Sequence, residues 1–495
     1  MTNEMKKVKD DLIIEIDKRI ADKIIEKTNA DLLKKLIEHA ETINEAIMIA
    51  ELGTTYKRTG FHFDKRLEKM TDTIKYFKKN KKLSFVQDTN ALTHKLIIGD
   101  NYDALLNLLI QYRGEIDVIY IDPPYGKDSM GEFAKTNYDN AITRDNLLSM
   151  LYPRLVLARQ LLSDNGVIFC SIDDKNQAYV KGLFDEVFGE SGFVASFVVI
   201  RAEGGGLAKQ AVIGHDYLLT YAKSIKQFTP LGKDKDIRGR IVEKDGEQYW
   251  IETDWLRKEF GKYGTCLYEE VEKYFDNKKK DEVDLNIRNG NYVLIKKDAG
   301  HIVGRYRKVV DDSSKFYTVI KHLNKNGVNE LAELGLLFDY PKPVSLIKEI
   351  VYGATRGGKD SFILDFFAGS GTAGQAVLEL NKEDGGNRQF ILVTNNEVAD
   401  TTPNGIALDV TSRRLKRVMT GEDYDGENNF EWLENNKPLG DNLDVYDITT
   451  VAPYSNEPFT QIDETLYGQE KLGVKEKIKW VCENLEGTQK TLEDK

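Results

Sequence analysis

With 495 residues, 41% of them apolar and 31% charged, the chain is long enough for about three domains and too apolar to be disordered overall. No apolar run approaches the roughly 20 residues of a membrane-spanning helix, and the start MTNEMKKVKDD lacks a secretory apolar stretch, so a cytoplasmic protein without a membrane partner is expected. Cys170, Cys266 and Cys482 lie too far apart for a metal knuckle or a disulfide framework, and no metal is expected. The net charge of −11 belongs to the tail: residues 421–495 hold 18 Asp/Glu against 7 Lys, whereas residues 201–330 hold 25 Lys/Arg against 21 Asp/Glu, which permits nucleic-acid binding without demanding it.

From residue 11 to about 49 apolar residues recur at helical spacing (Ile16, Ile20, Ile24; Leu32, Leu33, Leu36, Ile37). Such an amphipathic arm buries its stripe either on a neighbouring domain or by self-association. Lys78, Lys79, Lys81 and Lys82 then read as a solvated linker. From Leu96 short apolar runs alternate with helices, the pattern of a parallel sheet covered on both faces. Strands are expected at 96–98, 117–121 and 166–172, each followed by a carboxylate, with a helix at 144–162. In open α/β sheets the ligand crevice lies at such strand ends. The alternation fades after about residue 200, and residues 201–338, with short runs such as 217–221 and 292–295, read as an inserted domain of mixed or β character. It then resumes with a helix at 344–352, a strand at 362–365, a glycine-rich turn, a helix at 373–380, a strand at 390–394 and a helix at 408–418. The two segments read as halves of one sheet.

Two turns carry chemistry. Asp122-Pro123-Pro124-Tyr125 follows the apolar run 118–121. The prolines fix an extended turn with no backbone donors, leaving the Asp122 carboxylate and the Pro123 carbonyl as acceptors beside an aromatic ring. That suits a planar amine, whose lone pair becomes nucleophilic when acceptors hold its hydrogens; a tight turn capped by Asp is the bland alternative. The second turn, 365–374, runs Asp365-Phe366-Phe367-Ala368-Gly369-Ser370-Gly371-Thr372-Ala373-Gly374. Its glycines satisfy G-x-G-x-x-G, so a nicotinamide oxidoreductase has to be weighed. A dinucleotide site, however, places its first glycine directly after the strand. Here Asp365 and two aromatics come first, which favours a ligand carrying an ammonium group.

This second turn is similar to the S-adenosylmethionine loop of methyltransferases. Together the turns resemble those of the DNA amino-methyltransferases with a circularly permuted fold, and more closely the modification subunit of type III restriction-modification systems. The supporting stretches are KLIIGDNYDALLNLL (95–109), VIYIDPPYG (118–126), GVIFCSIDD (166–174), the glycine run 204–206 followed by HDYLLTYAK (215–223), DYPKPVSLIKEIV (339–351), DFFAGSGT (365–372) and RQFILV (388–393). The likeness spans about residues 60–420, with a weaker echo in the tail.

The resemblance implies an α/β, Rossmann-like, S-adenosylmethionine-dependent fold, circularly permuted, with a helical N-terminal arm at 1–82, a catalytic half at 83–200, a target-recognition domain at 201–338, a cofactor half at 339–420 and an acidic region at 421–495. Asp122, Pro123, Pro124 and Tyr125 would hold a flipped-out target base. Asp365, Phe367, Gly369, Ser370, Gly371 and Thr372 would cradle S-adenosylmethionine, with Lys342 in the short helix leading into that strand and Asp100 near the adenine end. The family's ribose-binding carboxylate is replaced by Thr394-Asn395-Asn396, so only Glu397 can serve. Asp173 and Asp174 are expected to cap a helix. Arg201, Lys209, Arg238, Arg240, Arg305, Arg307 and Lys308 are candidates for DNA contact, against a solvated-surface alternative.

The expected function is adenine methylation in duplex DNA by in-line transfer, with no metal and no covalent intermediate. A cytosine amino-methyltransferase and a non-catalytic DNA-binding module are the competing readings. The arm and the acidic tail are expected to serve a homodimer, and the resemblance alone implies a separate restriction (helicase-nuclease) subunit.

Overall fold

A computed structural model describes residues 3–21, 27–52, 74–125, 144–203, 211–235, 237, 239–244, 246–260, 266–274, 277–309, 312–356, 358–399 and 401–451. The chain divides into two units, Met1–Phe63 and Asp64–Lys495. In the first, helices Asn3–Ala21, Lys27–His39 and Ile43–Leu52 replace the single expected arm. They bury Ile16, Ala30, Ile37, Ala40, Ala46 and Ala50 together, so much of the stripe is satisfied within the arm, while Leu32 and Leu36 stay exposed.

The strands of the second unit are β1 Ile74–Lys79, β2 Thr93–Ile98, β3 Ile116–Ile121, β4 Leu162–Ile172, β5 Phe193–Ile200, β6 His215–Ala222, β7 Gly232–Asp234, β8 Ile241–Lys244, β9 Glu247–Glu252, β10 Tyr292–Lys297, β11 Gly300–Lys308, β12 Ser313–Lys315, β13 Val319–Lys321, β14 Phe362–Asp365, β15 Gln389–Thr394 and β16 Asn442–Val451. Ten of them form one sheet in the order β1-β16-β2-β15-β14-β3-β4-β6-β5-β13. The run from β16 to β4 is parallel throughout, and β6 is antiparallel to both neighbours. The separated halves of the alternating pattern thus meet in a single α/β sheet, with β14 hydrogen-bonded to β3.

Both faces of the central strands are buried, which explains their unbroken apolar runs. Leu96, Ile98, Val118, Tyr120, Val167 and Phe169 pack in one cluster with residues of helices Val344–Thr355, Thr372–Asp384 and Ser412–Thr420. Their alternates Ile97, Ile119, Ile121, Ile168 and Cys170, equally buried, point to the opposite face.

Three sequence expectations change. The lysine run is no linker: Lys78 and Lys79 lie in edge strand β1, antiparallel to β16, where Lys79 Nζ pairs with Asp444 Oδ1 at 2.8 Å. Residues 442–451 of the acidic region are therefore a sheet strand set against the protein's own basic edge; residues 452–495 lie outside the described residues. The run at 217–221, grouped by sequence with the insert, is β6 of the main sheet, since its register with β4 buries Leu218, Leu219 and Tyr221. β13 likewise joins the main sheet beside β5, and what remains of the insert centres on a four-stranded sheet, β10-β11-β9-β8, closed over Trp255, Leu256, Cys266, Val271, Val283 and Val303, with a separate two-stranded sheet, β12-β7.

Candidate active site

β3 delivers the first turn and β14 the second, so adjacent parallel strands place both at the same edge of the sheet. The chain leaves β14 for β15 on one side and meets β3 on the other, the switch in strand order at which α/β sheets open a crevice.

The Asp122–Tyr125 turn is a network. Tyr125 OH donates to Asp122 Oδ1 at 3.0 Å, and Lys342 Nζ lies 3.0 Å from the same oxygen and donates to Tyr125 OH at 2.8 Å. Among the described residues both partners of Asp122 use Oδ1, and Oδ2 takes neither. Lys342 is buried and has a second acid, Asp216 Oδ2, 3.9 Å away. Burial pushes the Tyr125 hydroxyl well above its ordinary range, and the charges on Asp122 and Asp216 push the same way, so it stays protonated at neutral pH. Burial also raises Asp216, against the pull of Lys342 and Arg201. From below, Asn176 Nδ2 donates to Tyr125 O at 2.8 Å and to Asp173 Oδ1 at 2.8 Å, and Asp173 Oδ1 also accepts the Asn176 amide. The N-cap of the helix that follows is Asn176, without a side-chain cap, so Asp173 does not cap it as expected but braces, through Asn176, the backbone of the Asp122–Tyr125 turn.

The resemblance places Lys342 in the helix leading into β14, but in the structure it precedes that helix, Val344–Thr355; the resemblance also places it with the cofactor. Its backbone is there, with O accepting from Thr372 Oγ1 at 3.2 Å, whereas its ammonium enters the catalytic turn. Two neighbours hold it: Glu330 Oε2 accepts from Val344 N at 2.9 Å, and Gly327 comes so close that a Cβ there would sit 2.5 Å from Pro341 O.

In the glycine turn, Asp365 is buried and accepts from Phe367 N at 3.0 Å. Burial raises its carboxyl well above the usual range; the Phe367 amide opposes this and the charge on Asp122 adds to it. Two carboxylates near one crevice favour a ligand bearing positive charge. Gly369 and Gly371 have φ of 46° and 77°, the left-handed region, and a Cβ on Gly374 would lie 2.7 Å from Leu415 Cδ2. Phe367 is half-buried beside Phe366, their ring centres 5.3 Å apart. The Ser370 and Thr372 hydroxyls are turned inward, 3.1 Å apart, and are spent under the loop. Asp100 is spent as well: its Oδ1 caps Tyr102 N at 2.8 Å, and Arg154 Nη2 reaches both carboxylate oxygens at 3.2 Å. Glu397 lies three residues beyond β15, half-buried, with Asn395 Nδ2 at 3.4 Å.

The DNA candidates do not converge. Arg305 and Arg307 share a face of β11 as their spacing predicts, but Arg305 Nε holds Glu252 Oε2 at 2.7 Å and Arg307 Nη2 holds Asp312 Oδ1 at 3.0 Å, both acids being buried. Lys308 Nζ pairs with Glu247 at 2.5 Å, and Arg201 Nη1 lies 3.3 Å from Asp216 Oδ1 beside the catalytic network. Arg240 is exposed and forms no ion pair among the described residues. Lys209 and Arg238 lie outside the described residues.

Sequence reasoning missed Asn176, Asp216 and Arg154. Only Asp216 left a signal, a carboxylate opening the apolar run 217–222.

A DNA methylase family model, that of the N6 and N4 methyltransferases, matches residues 116–399, and a model of an uncharacterised conserved protein matches residues 2–118. The chain is 31% identical over 426 residues to the StyLTI Mod subunit, a type III restriction-modification enzyme of Salmonella typhimurium, covering 73% of this chain and 64% of that one. It is 30% identical over 412 residues to the EcoPI Mod subunit of Escherichia phage P1, covering 67% and 63%, and 29% identical over 360 residues to the type II methyltransferase M.KpnI of Klebsiella pneumoniae, covering 64% and 83%. The chain therefore spans less than two thirds of the length of the two Mod subunits. The methylase match takes in both turns and more than half of the residues, and this chain belongs to the DNA methylase family.

Proposed function

We propose that the protein methylates the exocyclic amine of adenine in duplex DNA, using S-adenosylmethionine, as the modification and recognition subunit of a type III system. The observation that carries this is the pairing of the two turns at one sheet edge, joined through Lys342. S-adenosylmethionine supplies an electrophilic sulfonium methyl when bound. Asp365 and the half-buried Phe367 suit its ammonium and apolar parts, and the left-handed glycines let the backbone approach it. Glu397 is the candidate for the ribose.

On the target side, Asp122 Oδ2 and the Pro123 carbonyl accept the amine hydrogens and aim its lone pair along the transfer line, worth far more in an enclosed site than in water. Lys342 pairs with Asp122 and fixes Tyr125 OH, and the Tyr125 ring offers a face to the extruded base. Incubation with methyl-labelled S-adenosylmethionine and mixed DNA, followed by nucleoside separation, tests this. Label in methyladenine is expected; label in methylcytosine selects the cytosine reading, and no label selects a non-catalytic DNA-binding module. The order of the halves, catalytic before cofactor, fits the permuted arrangement.

For DNA recognition, Arg240 is the exposed cation offered to phosphate, whereas Arg305 serves the insert's own fold. Arg240→Ala should flatten the plot of log affinity against log salt by about one unit for every sequence. Arg305→Ala should instead destabilise the protein by about 2 kcal/mol, below the ~3–5 of a fully buried pair, because Arg307 Nη1 remains 3.7 Å from Glu252. A salt titration and a thermal melt on both variants separate the roles; a wild-type slope for Arg240→Ala returns that residue to solvated surface.

We also propose a homodimer through the helical arm, supported by the exposed Leu32 and Leu36. Sedimentation at micromolar concentration should give a dimer, and a clean monomer refutes it. A restriction subunit is the further partner that the type III reading implies.

A further inference from the structure

Beneath the glycine turn lies a charged group that the chemistry above does not use. Arg414 is fully buried in helix Ser412–Thr420. Its Nε donates to Gln375 Oε1 at 2.8 Å, and its Nη1 donates to Thr372 Oγ1 at 2.8 Å and Ser370 Oγ at 3.2 Å, with Ser370 O at 3.4 Å. Its Nη2 has no hydrogen-bond partner among the described residues. Burial pulls the guanidinium down to about 10, with Glu330 and Glu379 opposing, so it is charged at neutral pH. An apolar side chain would fill such a position at lower cost, so the charge calls for another reason.

The preceding turn, Ala407–Thr411, is π-helical, a form that recurs at functional sites. Its last residue, Thr411, donates from Oγ1 to Gly369 O at 2.5 Å. Residues 411 and 414 therefore grip the glycine turn at 369, 370 and 372 from one side.

We infer that Arg414 is a positioning residue for the cofactor turn, its fork fixing the Ser370 carbonyl and the Ser370 and Thr372 hydroxyls and, through Thr372, the backbone that carries Lys342. This rests on reading 365–374 as the cofactor turn. The test is calorimetric titration of S-adenosylmethionine into the full chain, alongside kcat, KM for each substrate and thermal unfolding. Arg414→Lys keeps the charge and loses the fork: cofactor binding should weaken about tenfold with the loss of one or two hydrogen bonds, while kcat at saturating cofactor stays within about twofold.

Gln375→Ala, which removes the Nε acceptor together with the Gln375 Nε2 bond to Glu379 Oε1 at 2.9 Å and leaves the guanidinium fork in place, should weaken binding about threefold and decides the matter if Arg414→Lys does not fold. A purely structural role would lower the unfolding temperature and the active fraction and leave cofactor affinity and KM unmoved. That pattern, in whichever variant folds, overturns the assignment. If the wild-type chain itself takes up no S-adenosylmethionine, the cofactor reading falls and this one with it; wild-type binding beside unmoved variants sinks the Arg414 assignment alone.

Discussion

Asp122→Ala is expected to abolish methyl transfer, with at least about two orders of magnitude lost in rate, while S-adenosylmethionine affinity stays within a few-fold. In the proposed function the carboxylate is the acceptor aimed at the target amine, and none of its hydrogen-bond or ion-pair contacts reaches the glycine turn directly: its partners are Tyr125 OH and Lys342 Nζ, each 3.0 Å from Oδ1. Removing it does not strand the lysine, because Asp216 Oδ2 lies 3.9 Å from the same ammonium. The network should lose its acceptor while Lys342 keeps one carboxylate neighbour, so the variant should fold. Single-turnover methylation beside cofactor titration checks this. Retention of full activity would remove Asp122 from the chemistry, and parallel loss of cofactor binding would show that the two turns are not separate in role.

Gly371→Val is expected to eliminate measurable cofactor binding and therefore activity. Gly371 sits at φ 77°, where a β-branched side chain is strongly disfavoured, and its Cβ would meet Thr411 Cγ2 at 3.2 Å. The surroundings have little room to yield, since Thr411 is itself buried and bound to Gly369 O. The turn must deform, and with it the approach of backbone to ligand. DNA binding without cofactor should survive, because the insert has its own core around Trp255 and Val303. Cofactor affinity unchanged in a folded Gly371→Val protein would mean that 365–374 is not the cofactor turn.

Both turns were legible in sequence because each needs unusual residues at adjacent positions: two prolines after a strand, and glycines where the backbone turns left-handed. The buried strands were legible because coverage on two faces erases alternation. What supports the turns was not. Asn176 reaches Tyr125 across 51 positions and Arg414 reaches Thr372 across 42, and neither residue type signals its partner. Lys342 was found, but its ammonium belongs to one turn and its carbonyl to the other, a division no linear pattern encodes. The lysines of β1 misled because charges on an edge strand, which discourage unwanted pairing, look in one dimension like a linker. Arg305 and Arg307 were placed on one face correctly, yet their partners Glu252 and Asp312 lie 53 and 5 positions away and take up the charge offered to DNA.

Because Lys342 belongs to both turns, occupancy of one is a thermodynamic variable of the other. On the proposed function, a base that settles on Asp122 would redistribute the contacts of the ammonium, and the carbonyl bond to Thr372 would carry that change to the loop. Any factor by which bound cofactor tightens DNA must then equal the factor by which DNA tightens cofactor. On the proposed function the same reciprocity would govern departure with a factor of its own: once the methyl has moved and one product leaves, the grip on the second would weaken by the factor that couples those two products, so a single lysine would tie the release of modified DNA to that of the spent methyl donor.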